Sequence, residues 1–207
     1  MDFTPQQAAT LAEIMLWRRD VRHFLPDAVP EDMLERLRQA MDHAPSVGNA
    51  RPWRVIRVES PGLREAVRAE FARCNQHAAA SYEGEQAAAY GKLKLAGLDA
   101  APVQLAVFTE TDPEAGHRLG RATMELTLQQ STAMAIFALW LAARAENLGV
   151  GAVSILEPGV VERLFNVPAH WEFSAYLCIG KPAFTDDTPL LHRAAWQRNE
   201  ETVWETR

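Results

Sequence analysis

Cysteine is scarce: the chain of 207 residues has two, Cys74 and Cys178, far apart and in no metal-like spacing. That excludes a disulfide framework and a zinc cluster, and both read as free thiols of a reducing compartment. No uninterrupted apolar run approaches the roughly 18 residues a membrane helix needs, and the amino end lacks a basic-then-apolar leader pattern. The expected location is cytoplasmic. Motifs are missing too. No GxGxxG follows a strand, and GxxxxGKS/T, GxSxG and HExxH do not occur. A Rossmann site, a P-loop, a hydrolase elbow and a zincin site therefore have no support. Of six histidines, His43, His77, His117 and His170 show no ligand spacing, and no metal is expected. A net charge of −6 argues against nucleic acid and anionic membranes as partners. There are no repeats, no low-complexity linker and no sign of a second domain, so residues 1–207 are expected to form one unit.

Against this acidic background one stretch is basic: Trp17-Arg18-Arg19-Asp20-Val21-Arg22. Guanidinium groups are planar, always charged and fork-shaped, matching a phosphate bidentately. Each such bond is worth roughly 1.5–3 kcal/mol. Three converging arginines suit a small dianionic ligand better than a polyanion. A solvated basic patch is the competing reading. Asp20 inside the cluster is either an ion-pair partner or a reactive group tuned by its neighbours.

Thr4-Pro5-Gln6-Gln7 predicts a capped helix start, with the helix running to about Trp17 and Leu11, Ile14 and Met15 on one face. A proline-broken loop precedes a second helix that starts with Pro30-Glu31-Asp32 and ends near His43, burying Met33, Leu34, Leu37 and Met41. Ala44 to Trp53 is turn-rich, and its small residues admit close backbone approach. Arg54–Val58 alternates as a half-buried strand, and Pro61 to about Gln76 is an amphipathic helix. Ala78–Ala101 is helical in propensity but weakly patterned; it is either a mobile cover over a site or an exposed helix. Pro102–Thr109 reads as a buried strand and Asp112–Arg121 as loop. Thr123–Glu146 is a long helix, apolar nearly all round, stopped by a cap at Asn147-Leu148-Gly149. Val150–Leu156 is a strand carrying Ser154, Pro158–Phe165 a helix, and Phe173–Ile179 the last strand. The tail from Pro182 has Trp196, Arg198 and Trp204 but little core of its own, and is expected to pack on a second subunit. The irregular order of elements predicts an α+β fold: a mixed, mainly antiparallel sheet flanked by helices.

Three stretches carry a resemblance spanning most of the chain. They are Arg18-Arg19-Asp20-Val21-Arg22, Ala44 through Trp53, and Leu139 through Arg144 with Gly149-Val150-Gly151. Together they resemble the nitroreductase superfamily of FMN proteins. Aspartate in the third place of the first motif is similar to the 5,6-dimethylbenzimidazole synthase branch, which fragments reduced FMN with O2 in making the lower ligand of cobalamin. Tyr82-Glu83-Gly84-Glu85-Gln86 with Leu93 through Leu98 resembles that branch's lid. Gly151 through Ile155 resembles its strand bearing an active-site serine.

The resemblance implies an intertwined homodimer with FMN as cofactor or as reduced substrate, O2 as co-substrate, NAD(P)H as a further candidate and a small-molecule substrate. Arg18, Arg22 and Arg198 would hold the phosphate. Arg19 would face the ring edge or the ribityl chain. Val21, Leu95 and Val153 would border the flavin. Pro45, Ser46, Val47 and Gly48 would reach it from the partner subunit. Asp20 and Ser154 would be catalytic. An NAD(P)H-dependent reductase of nitro, quinone or enone compounds, and a non-enzymatic flavin-binding protein, are the alternatives.

Overall fold

The computed structural model describes residues 1–93 and 96–207. The chain opens with α1 (Pro5–Trp17), whose predicted capping box is formed: Thr4 N–H donates to Gln7 Oε1 at 2.8 Å, and Gln7 N–H to Thr4 Oγ1 at 3.3 Å. None of its side chains is buried; Leu11, Met15 and Leu16 are about half exposed. Then come α2 (Glu31–Asp42), β1 (Trp53–Arg57), α3 (Pro61–Ala79), α4 (Gly84–Gly91), β2 (Val103–Glu110) and α5 (Thr127–Ala145). The chain continues through β3 (Gly149–Val153), α6 (Pro158–Leu164), β4 (Trp171–Gly180) and the short α7 (Leu190–Arg193). Up to β4 this is the expected order.

The strands form one antiparallel sheet in the order β1-β2-β4-β3. Its parallel component is a single bridge from Asp20 to Val150, in which Val21 N–H donates to Val150 O at 3.0 Å. Side-chain alternation along β2 and β4 builds two cores. Val103, Val107, Leu177 and Ile179 pack with Leu37, Met41, Ala135 and Leu139 of α2 and α5. Ala106, Phe108, Tyr176 and Cys178 pack with Val67 and Val161 of α3 and α6. Helices thus cover both faces, and the α+β expectation holds.

Several boundaries move, each for a local reason. The weakly patterned run from Ala78 is not one helix. α3 ends at Ala79, α4 is an eight-residue helix entered through Gly84 at φ +55°, and Tyr90 is its only buried residue. α5 starts at Thr127, four residues later than expected. It is closed by Asn147 at φ +60°, with Leu148 N–H returning to Ala143 O at 2.8 Å, so asparagine rather than Gly149 takes the left-handed cap position. Gly149 opens β3 instead. β3 stops at Val153, leaving Ser154 just past the strand's end.

Candidate functional site

The end of α1 delivers the arginine cluster to the outer edge of β3, and two glycines make the docking possible. A β-carbon on Gly151 would lie 2.1 Å from Val21 O, and one on Gly149 would lie 2.6 Å from Val21 Cγ2. Only hydrogen fits between the two chains there. The carboxylate of Asp20 completes the junction. Its Oδ1 accepts from Ala152 N–H at 2.9 Å, and its Oδ2 accepts from Arg22 Nε at 2.8 Å. The Arg22 side chain is 13% exposed and that of Asp20 is 33% exposed. Asp20 is therefore both an arginine partner and a backbone anchor.

The three arginines differ in their engagements. Arg19 is tied down, with Nε and Nη2 donating to Asp187 O and Nη1 to Arg18 O. The Arg18 guanidinium lies 5.0 Å from the Trp140 ring centroid and 5.9 Å from that of Phe137. Among the described residues no carboxylate lies within ion-pair distance of it. Burial first, and the neighbouring Arg19 charge second, hold its pKa below the ordinary arginine value; Asp20 opposes them. Positive charge is thus in excess at this point, which an anion would relieve.

Arg18, Arg19, Asp20, Val21 and Arg22 all line a cavity of about 70 Å³. That is far below the roughly 300 Å³ at which ordinary ligand pockets begin. It suits a phosphoryl group and not a three-ring flavin, so the ring of an FMN held here would extend beyond this cavity. Arg144 and Arg193 line the same cavity, with Arg193 paired to Asp186 at 2.9 Å. Neither was singled out from the sequence. Arg144 closes the Leu139–Arg144 motif and was legible in principle, whereas Arg193 stands in a four-residue tail helix without a local signature.

Other predicted site residues lie apart from the arginine cavity. Pro45 is exposed, and Ser46 to Gly48 form a half-buried turn. Val47 N–H donates to Ser131 Oγ at 3.0 Å, and Arg51 N–H to Ser46 Oγ at 3.0 Å. Gly48, at φ +55°, faces Gly116 O and Leu119 O so closely that a β-carbon would sit 2.9 Å from each. Val153 is buried, whereas Ser154 is exposed and its hydroxyl has no hydrogen-bond partner among the described residues. Arg198 is exposed in the tail and does not line the cavity. Leu95 lies outside the described residues. Trp196, expected against a second subunit, packs on its own chain: its ring meets Tyr82 edge-on at 5.4 Å and Tyr90 at 6.1 Å. Arg51 and Arg54, of unassigned role in the sequence, form ion pairs with Asp42 and Glu110.

Among the described residues no helix is long and apolar enough to cross a membrane. The sequence profile of the nitroreductase family matches residues 15–181. A Rhodobacter capsulatus protein named 5,6-dimethylbenzimidazole synthase is 63% identical over 207 residues, the whole of both chains. One of the same name from Rhodospirillum rubrum is 48% identical over 195 residues, covering 94% of this chain and 92% of that one. Among solved structures, iodotyrosine deiodinase bound to FMN and 3-iodo-L-tyrosine aligns with a TM-score of 0.76. It is 23% identical, with 95% of this chain and 99% of that chain covered, a likeness of fold. A nitroreductase family protein from Clostridium difficile 630 aligns at TM-score 0.65 with 18% identity over 93% and 91% of the two chains. Two relatives matched over more than nine tenths of their length, the matched profile and the shared fold lead to one conclusion: this chain belongs to the nitroreductase family, alongside proteins named 5,6-dimethylbenzimidazole synthase.

Proposed function

We propose that the protein is an FMN-dependent oxidoreductase that makes 5,6-dimethylbenzimidazole by fragmenting reduced FMN with O2. The observation that carries this reading is the placement of Asp20. It stands inside an arginine-lined cavity and is fixed through both oxygens at the edge of the sheet. The relatives of that name, identical at 63% and 48% of positions, support it. Reduced FMN, ring and ribityl chain together, would supply both the electrons taken by O2 and the carbon skeleton of the product.

The chain's own residues have separable tasks. Arg18 and Arg22 would neutralise the phosphate, joined by Arg198 from the tail. Arg19, tethered to the Asp187 carbonyl, would hold the tail segment against the site. Asp20 would accept protons from ribityl hydroxyls. The Ser154 hydroxyl would donate to the ring edge or relay a proton. Pro45 to Gly48 would serve the site of a second subunit, which their absence from the lining of this chain's arginine cavity supports. A homodimer also accounts for α1, which buries nothing of its own, and for Met134 and Phe137 of α5, 42% and 44% exposed. A helix of 13 residues without a buried face is marginal in water and calls for a partner.

The test is to incubate the apo-protein with reduced FMN, admit air, and look for the benzimidazole by mass spectrometry. Its absence, together with steady NADH consumption on a nitroarene, would overturn this reading and establish an NAD(P)H-dependent reductase. Absence of both activities would leave a flavin-binding protein.

A further inference from the structure

The lid-like helix α4 poses a stability problem. It has eight residues, and Tyr90 is its one buried side chain. A helix this short does not persist on intrinsic propensity. Tyr90 is secured on one side by its hydroxyl, which donates to Asn75 Oδ1 of α3 at 2.7 Å. On the other side it stacks on Tyr82 at 4.8 Å. The third member of this aromatic group is Trp196, which comes from the tail more than a hundred residues later.

The tail bends sharply just before Trp196. Ala195 sits at φ +55°, a left-handed conformation that costs a non-glycine residue of order 1 kcal/mol and is usually kept where function requires it. The bend is braced by Trp196 N–H donating to Leu191 O at 3.0 Å and Asn199 N–H to His192 Nδ1 at 2.9 Å. A cavity of about 530 Å³ lies between α4 and the tail, walled by Glu85, Ala89, Lys92, Leu190, Ala194 and Trp196. His23 and Leu190 line both this cavity and the arginine cavity, so the two adjoin. Arg193, on the same short helix, faces the arginines.

From this geometry we infer that Trp196 is a positioning residue: it latches α4 shut beside the arginine site, so that tail, lid and phosphate pocket close as one unit. This rests on the flavin reading only for what is retained; the latch itself is a property of the chain. By closing α4 the latch slows escape of a bound flavin, and it has no part in the chemistry of the ring.

The test uses the full-length protein and hydrogen–deuterium exchange, with stopped-flow release of oxidised FMN as a second readout. In Trp196→Ala, exchange of the α4 amides and FMN release should each rise about three- to tenfold, the scale of the lost aromatic contacts, with the sheet unchanged. Trp196→Phe should restore most of both. Tyr82→Ala combined with Trp196→Ala should fall short of the product of the two single effects, because both remove the Tyr82–Trp196 contact, while each also removes its own contact with Tyr90. If Trp196→Ala is too unstable to purify, Trp196→Leu replaces it, removing the ring while keeping apolar bulk. Unchanged α4 exchange, or acceleration spread evenly over the sheet, would overturn the latch. Faster α4 exchange in a protein that makes no benzimidazole would refute the synthase reading alone.

Discussion

Asp20→Asn is the substitution that separates chemistry from architecture at the arginine cluster. The amide oxygen can still accept from Ala152 N–H, but the NH2 group now faces Arg22 Nε, donor against donor. The loss is one charge-assisted bond, roughly 1.5–3 kcal/mol in a dry setting. With Asp20 33% exposed, solvent screening brings this to about 1–2 kcal/mol. For a domain of this size that lowers the melting temperature by about 2–8 °C, measurable by calorimetry. The phosphate pocket loses a negative charge, so affinity for FMN should hold or rise in fluorescence titration. Product formation from reduced FMN and air should nevertheless vanish, because the amide cannot accept a proton. Product at the parental rate would refute a catalytic Asp20. Loss of flavin binding would show that its work is to aim Arg22.

Four further outcomes are expected. Gly151→Ala forces a β-carbon onto Val21 O, so it should lower the melting temperature and abolish FMN binding together; either effect without the other would contradict the splinting of the cluster on β3. The Glu70 carboxyl is held down to about 2 from an ordinary 4.5, by Arg73 first and with hydrogen bonds from Cys74 and Glu157 N–H, against the opposing effect of burial. Its folded pKa is depressed, so its stabilisation is complete above about 4.5 and drains away as pH falls towards 2; Glu70→Gln should flatten that acid limb in pH-dependent unfolding. Burial pushes the Cys178 thiol up to about 12, so alkylation at pH 8 should modify it only on unfolding, with Cys74 reacting earlier by peptide mass mapping. Sedimentation should give a dimer, and a monomer that still holds FMN would remove Pro45 to Gly48 from the site.

Much of the fold was legible because two periods were clean. Pro102 to Thr109 and Phe173 to Ile179 read as strands, and Leu37 and Met41 marked the buried face of α2. Thr4 and Gln7 carried a complete local cap signal. What stayed hidden was long-range. Gly149 looked like a helix stop, but its use is the close approach of Val21, which no local pattern encodes. Asn147 was free to take the cap because a short polar side chain tolerates left-handed backbone. The alanine-rich run after Ala78 had propensity without an apolar stripe, and so broke where Gly84 turns. At the site, the arginines and Asp20 announced themselves by charge. Arg193 did not, and Trp196 stood out only as a packing residue of unknown partner, since their meaning comes from the tail folding back on distant partners.

In the strand order, β3 is the last member of its sheet, and its open side is occupied by the Asp20–Val21 backbone and the Asp20 carboxylate. One short segment therefore does two jobs. It blunts a margin that would otherwise template unwanted pairing between molecules. It also fixes the Arg22 guanidinium through the Asp20 carboxylate, so an anion binding there would meet a donor already in place and lose little ordering entropy on capture.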